Sequence, residues 1–197
     1  MYLVFAVHEL AKFSSNPVKV CFKVLVHLLI YISYNKTLGL KYCADMKDSP
    51  LSDLLRQASI NTKNKLKAFS DSSWQNCTKT GRSTGASIIF YQGGTIDNGT
   101  HVPGPVFQSS AESEYNTAYT TRMALAYYRM LIYASLNKDP DIVLEEASLI
   151  ILNINSSVCM ANNGKDTKHT RHIARRVHFV GNVEKFKIHT IDWCVGI

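Results

Sequence analysis

The sequence predicts an α/β domain: a mixed five-stranded sheet with flanking helices, preceded by a short helical segment. Three observations carry this. Residues 65–97 fall into short alternating runs separated by turn-forming residues, the pattern of hairpin-connected strands. Ser109-Ser110-Ala111-Glu112 opens a long helical pattern in which hydroxyl and carboxylate can each satisfy an otherwise orphan backbone N–H. Ser148-Leu149-Ile150-Ile151-Leu152 is a continuous apolar run, as expected of a central strand covered on both faces.

Composition sets the bounds. At 197 residues the chain holds one domain of ordinary size plus a helical extension, which excludes a complete multidomain polymerase. A hydrophobic content of 46% against 19% charged residues supports a packed core rather than a disordered chain. The 22 Lys and Arg exceed the 15 Asp and Glu by 7, which directs attention to anionic partners. Five cysteines with no Cys-x-x-Cys spacing argue against a disulfide framework and against a thiolate metal site, and fit a reducing intracellular setting, cytoplasmic or nuclear. The apolar opening ends at His8 and Glu9, too early for a secretion signal. Lys19, Lys23 and His27 interrupt the run from Val18 to Tyr34, so it reads as a buried helix and not as a membrane span.

Taken in order, Leu3–Phe13 and Lys19–Ser33 have helical spacing, with Ser15-Asn16-Pro17 as stop and restart, and form two packed helices. The polar stretch from Asp45 to Lys65 is a connector, which divides the chain into residues 1–62 and 63–197. Leu66–Ser70, Ala86–Tyr91 and Gly94–Asp97 are the first three strands. The capped helix runs to about Leu136 and the buried strand follows at 148–152. A short helix over 155–161, a basic helix over about 169–179 and a strand from Phe186 to Trp193 complete the order β-β-β-α-β-α-α-β.

Asp71 follows the first strand in Phe69-Ser70-Asp71-Ser72-Ser73-Trp74, where a carboxylate can hold a metal ion at the sheet edge. The long helix supplies Glu112 and Glu114, which two residues apart point in nearly opposite directions. Glu112 belongs to the capping box. Glu114 continues into the stripe Ala118, Thr121, Leu125, Tyr128 and Ile132, and so faces the sheet. Acids from a strand end and a facing helix suggest a hard-cation site of the kind used in phosphoryl chemistry, where further carboxylates share two Mg²⁺ ions. A third acid is expected where the buried strand ends, yet that position is Asn153.

In combination these motifs resemble the Pol polyprotein of copia-type LTR retrotransposons, specifically its ribonuclease H domain. Ser70-Asp71-Ser72-Ser73-Trp74 is similar to the family's Ser-Asp-x-x-Trp, Thr80-Gly81-Arg82-Ser83-Thr84-Gly85 to its Arg-(Lys)-Ser-Thr-(Ser)-Gly turn, and Ser109–Tyr115 to its Ser-Ser-x-Glu-x-Glu-Tyr. Thr170-Arg171-His172-Ile173 with His178-Phe179 resembles the family's Thr-Lys-His-Ile and His-Phe. The N-terminal segment, with Ser15-Asn16-Pro17 and Gly39-Leu40 in register, looks like the stretch joining reverse transcriptase to ribonuclease H. The resemblance thus covers nearly the whole chain.

The resemblance implies a ribonuclease H-like fold that hydrolyses the RNA of RNA–DNA hybrids with four carboxylates and two Mg²⁺. Asp71 and Glu114 match the first two positions and are the implied metal and catalytic residues. Asn153 occupies the third as a degenerate position. The fourth acid belongs to a segment expected beyond Ile197, so the domain reads as truncated; Asp192 lies within the last strand and does not replace it. Mg²⁺ binding is therefore expected to be weak or lost, with little or no cleavage. Nucleic-acid binding is expected to persist through Arg82 and the basic stretch containing Lys168, Arg171, His172, Arg175 and Arg176, because clustered cations track phosphates without reading sequence. The expected partner is an RNA–DNA hybrid or other nucleic acid, with no membrane, and formerly the rest of a Pol polyprotein. A non-catalytic binding module and a non-functional fragment are the alternatives. His169, His172 and His178 lack acid or cysteine partners at zinc-ligand spacing, and Trp74, Tyr127 and Tyr128 read as structural aromatics.

Overall fold

The computed structural model describes residues 2–43, 66–136 and 148–152, together with the backbone of 191–193. Two helices come first, α1 (Tyr2–Ala11) and α2 (Lys19–Tyr34). Strands β1 (Leu66–Ser73), β2 (Thr84–Tyr91) and β3 (Gly94–His101) then lead into the long helix α3 (Ser110–Ser135), followed by β4 (Leu149–Leu152) and β5 (Ile191–Trp193). The expected connector over 45–65 is outside the described residues, as are the expected helices at 155–161 and 169–179.

The strands form one five-stranded sheet in the order β3-β2-β1-β4-β5. β1, β2 and β3 pair antiparallel in chain order, whereas β4 pairs parallel with β1 and β5 parallel with β4. This is the mixed five-stranded sheet that the sequence predicts. Its connectivity follows from loop length: short loops can return a strand only antiparallel, while the return from β3 to β4 carries α3 across the sheet and allows parallel pairing.

The β2–β3 turn is set by Gln92 at φ 49° and Gly93 at φ 78°. Two successive left-handed residues give a type I′ hairpin, whose twist matches that of the strands. Gln92 bears a Cβ there at a cost of about 1–2 kcal/mol. β1 continues past Ser70 to Ser73, and β3 past Asp97 to His101, both longer than sequence alternation indicates. Pairing partners extend these strands through polar residues: Asp71 is opposite Ala86, Ser73 opposite Thr84, and Asn98 opposite Ile88.

The core lies between sheet and helix. Leu66 and Ala68 of β1, Ile89 of β2, and Ile150 and Leu152 of β4 pack with Ala118 and Leu125 of α3. The anticipated helix stripe is present, with Ala118, Thr121 and Leu125 buried and Tyr128 and Ile132 half-buried. All four residues of β4 are buried, as expected of a strand with neighbours on both edges. At Gly85, α3 comes so near β2 that an added Cβ would stand 2.5 Å from Thr117 Oγ1 and 2.7 Å from His101 Cε1. Only glycine admits that approach.

α1 and α2 pack on each other, and α1 also meets β3. The Tyr42 hydroxyl donates to the Thr95 carbonyl at 2.9 Å, and the Cys43 N–H to the Gln92 carbonyl at 2.9 Å, which ties this segment to the β2–β3 hairpin. The expectation that Val18–Tyr34 is a buried helix is corrected here. The helix forms, but none of its residues is buried, and Val20, Phe22 and Leu29 are more than half exposed. Apolar spacing specifies a helix but not what covers it, and α1 is the only described helix packed on it.

Candidate active site

The parallel register of β1 with β4 ends at Ser70 opposite Leu152, so Asp71 is the first residue of β1 beyond it. The first turns of α3 come down over this end of the strand. The hydroxyls of Ser72 and Ser113 share a short hydrogen bond, and the Ser72 backbone N–H donates to Glu114 Oε1 at 2.8 Å. Glu112 turns the other way: its Oε2 accepts from the Gln108 N–H at 2.9 Å, while its own N–H donates to the Ser109 hydroxyl at 3.2 Å. The cap therefore holds one carboxylate at the helix start and leaves Glu114 to reach the strand, because the two side chains leave the helix in different directions.

Glu114 is 1% exposed, and its second oxygen, Oε2, has no hydrogen-bond partner among the described residues. Burial pushes its carboxyl up to about 8, and the neighbouring Asp71 carboxylate pushes in the same direction, against the bond from the Ser72 N–H. Asp71 itself is exposed. One carboxylate open to solvent thus stands beside a second that is buried and short of positive charge. Hard oxygen donors with this deficit fit a divalent cation such as Mg²⁺. The described residues bring two such acids together and contain no group of three or more acidic, histidine or cysteine side chains able to hold a metal.

Beyond β1 the chain forms a braced loop. Gln75 takes a left-handed φ of 50° and donates its N–H to the Ser83 hydroxyl at 3.2 Å. The Thr84 hydroxyl donates to Asn76 Oδ1 at 2.9 Å, and the Cys77 N–H to the Arg82 carbonyl at 3.2 Å. Arg82 is exposed on this loop, at the same end of the sheet as Asp71. The structural reading of two aromatics needs correction: Trp74 is 42% and Tyr127 60% exposed. The indole N–H of Trp74 donates to the Phe107 carbonyl at 3.1 Å, so the ring is tethered through that edge while part of the residue stays exposed. Tyr127 lies off the sheet-facing stripe of α3.

Asn153, Lys168, Arg171, His172, Arg175 and Arg176 lie outside the described residues, as do His169, His178 and Cys159. Asp192 sits within β5, opposite Ile151. Sequence reasoning passed over two buried cations on α3. Arg122 is held down to about 10 by burial, partly offset by Tyr115. Arg129 donates from Nη1 to the Ser148 hydroxyl at 2.8 Å and lies 5.8 Å from the Tyr133 ring centroid. The spacing Tyr115, Arg122, Arg129 repeats every seventh residue and marks a second helix face that a search for apolar residues alone does not pick out.

No family model matches the chain, and no curated protein sequence matches it. Among solved structures, it is similar to the RNase H1 of the halophilic archaeon Halobacterium salinarum at 12% identity, covering 66% of this chain and 83% of that one with a TM-score of 0.40. LC11-RNase H1, solved in complex with an RNA/DNA hybrid, is 10% identical over 67% of this chain and 85% of its own, with a TM-score of 0.48. An N-terminal RNase H domain from Mycobacterium tuberculosis is 9% identical over 66% and 88% respectively, with a TM-score of 0.44.

Proposed function

We propose that residues 63–197 are a ribonuclease H-type domain of copia-like Pol ancestry that binds RNA–DNA hybrids and is impaired in cleaving them, and that residues 1–62 derive from the end of reverse transcriptase. The observation that carries the reading is the acid pair: two motifs 43 residues apart, Asp71 and Glu114, meet where the β1–β4 register ends, one exposed and one buried with an unsatisfied oxygen. Asp71 and Glu114 would hold Mg²⁺. When bound, Mg²⁺ supplies charge neutralisation at a phosphodiester and a more acidic water. The chain's own contribution is to orient Glu114 through the Ser72 N–H and to hold the strand end through Ser72 and Ser113.

Asn153 is the source of the impairment. An amide oxygen can accept a cation, but it brings no charge to offset the ion's dehydration. Phosphate contacts do not depend on that charge, and Arg82 with the basic residues Lys168, Arg171, His172, Arg175 and Arg176 would supply them in a salt-dependent way.

The test is one titration of a labelled RNA–DNA hybrid with Mg²⁺ or Mn²⁺, following binding and cleavage together. Binding that weakens steeply with salt, with little cleavage, is the expected result. Asn153→Asp should raise metal-dependent cleavage, and Asp71→Asn should abolish whatever cleavage exists. Efficient cleavage by the unaltered chain would overturn the impairment, and absence of hybrid binding at low salt would overturn the functional reading.

A further inference from the structure

We infer that Trp74 is a stacking platform for an unpaired base beside the acid pair, so that the preferred ligand is an RNA–DNA hybrid with a single-stranded flank. The inference rests on the hybrid-binding reading above and specifies its substrate class.

Three features of the β1–β2 loop point this way. The indole is 42% exposed, yet its N–H is already satisfied by the Phe107 carbonyl at 3.1 Å, and Phe107 is 1% exposed. The ring is thus anchored through one edge to a buried residue, and little freedom remains to be lost on binding. The loop behind it is braced by the Gln75–Ser83, Asn76–Thr84 and Cys77–Arg82 hydrogen bonds. Its charged side chains are Lys79 and Arg82, both exposed, with no acid from Trp74 to Ser83. A part-exposed indole tethered through its N–H, on a loop whose charged side chains are all positive, suits a base attached to its phosphates, and it suits an apolar protein surface less well.

Position selects the kind of base. Trp74 follows Asp71 by three residues, a reach of about 10 Å for extended chain. Within a paired hybrid the faces of the bases are covered by their neighbours, so a base free to stack on Trp74 is one outside the paired region.

The test uses fluorescence. Trp74 and Trp193 are the chain's two tryptophans, so in Trp193→Phe the emission reports Trp74 alone. Blunt RNA–DNA hybrid and the same hybrid with a short single-stranded DNA flank are titrated in EDTA. The flanked hybrid should quench Trp74 and bind more tightly than the blunt one, by roughly 5- to 150-fold. In the otherwise unaltered chain, Trp74→Ala should erase that preference while leaving blunt-hybrid affinity and its salt slope unchanged. Trp74→Phe keeps a ring but loses the bond to Phe107, and should retain most of the preference.

Equal binding of the two ligands by the unaltered chain overturns the inference and leaves hybrid binding standing. If Trp74→Phe falls as far as Trp74→Ala, the indole acts through its bond to Phe107 as a positioning residue, and stacking is refuted. If neither hybrid binds the unaltered chain, the functional reading and this inference fall together.

Discussion

Replacing Glu114 by Gln removes the titrating proton and little else, because the amide oxygen can still accept from the Ser72 N–H and the amide nitrogen can donate toward Asp71. In the metal-free protein the Glu114 carboxyl is raised from 4.5 to about 8, first by burial and then by Asp71. Between those values the folded chain holds a proton that the unfolded chain has released, so the contribution of Glu114 to stability is full below pH 4.5 and is lost as pH rises through about 8. At about 1.4 kcal/mol per unit the full shift corresponds to a ceiling of about 5 kcal/mol. Because the pair opens to solvent on the Asp71 side, roughly 2–3 kcal/mol is the expected loss. Urea unfolding in EDTA at pH 5 and pH 8 measures it, and with a slope of about 2 kcal/mol per molar the midpoint should fall by roughly 1 M. Glu114→Gln should match the unaltered protein at pH 5 and exceed it at pH 8. Mg²⁺ at pH 8 should restore the unaltered protein, by about 1.4 kcal/mol for each tenfold excess over its Kd, and leave the variant unchanged. A difference between Glu114→Gln and the unaltered protein that does not widen from pH 5 to pH 8 would refute the reasoning.

Other consequences concern residues outside that pair. Burial lowers the pKa of His101, so its contribution is present above the unfolded value of 6.5 and is lost on acidification; Glu114→Gln should therefore show stability falling below pH 6.5, the opposite sign to the unaltered protein, and His101→Gln in that background should level it. Gly85→Ala places a methyl group against Thr117 and His101 and should cost about 1–3 kcal/mol in a denaturant titration; an unchanged midpoint would show that α3 can move away from β2. Arg129→Ala removes a charged hydrogen bond to Ser148 and a cation facing Tyr133 and should cost roughly 2–4 kcal/mol, with Arg129→Met less damaging because it keeps the packing of the stem. Phe22→Asp with Leu29→Asp, on exposed positions of α2, should leave the unfolding midpoint within about 0.5 kcal/mol while raising solubility; a large loss of stability would mean that α2 is covered in solution.

Much of the fold is written in local chemistry. The cap at Ser109 and Glu112, the apolar run of β4 and the stripe from Ala118 to Ile132 are each specified within one turn or one strand, where backbone satisfaction and burial depend on neighbouring residues. The separate fates of Glu112 and Glu114 belong to the same class, since two residues on a helix cannot share a direction. Strand length does not. Ser72, Ser73 and Asn98 have no pattern of their own and are extended only because β1, β2 and β3 pair. The buried face of Tyr115, Arg122 and Arg129 was hidden because a charged residue reads as solvent-facing until a partner such as Ser148 is brought to it. The exposure of α2 and Trp74 lay equally beyond reach, because hydrophobicity states a preference and only neighbours decide whether it is met. The raised carboxyl of Glu114 is the clearest case: the residue alone has an ordinary acidity, and it takes the meeting of α3 with β1, 43 residues away in sequence, to bury it beside Asp71 and create its demand for positive charge.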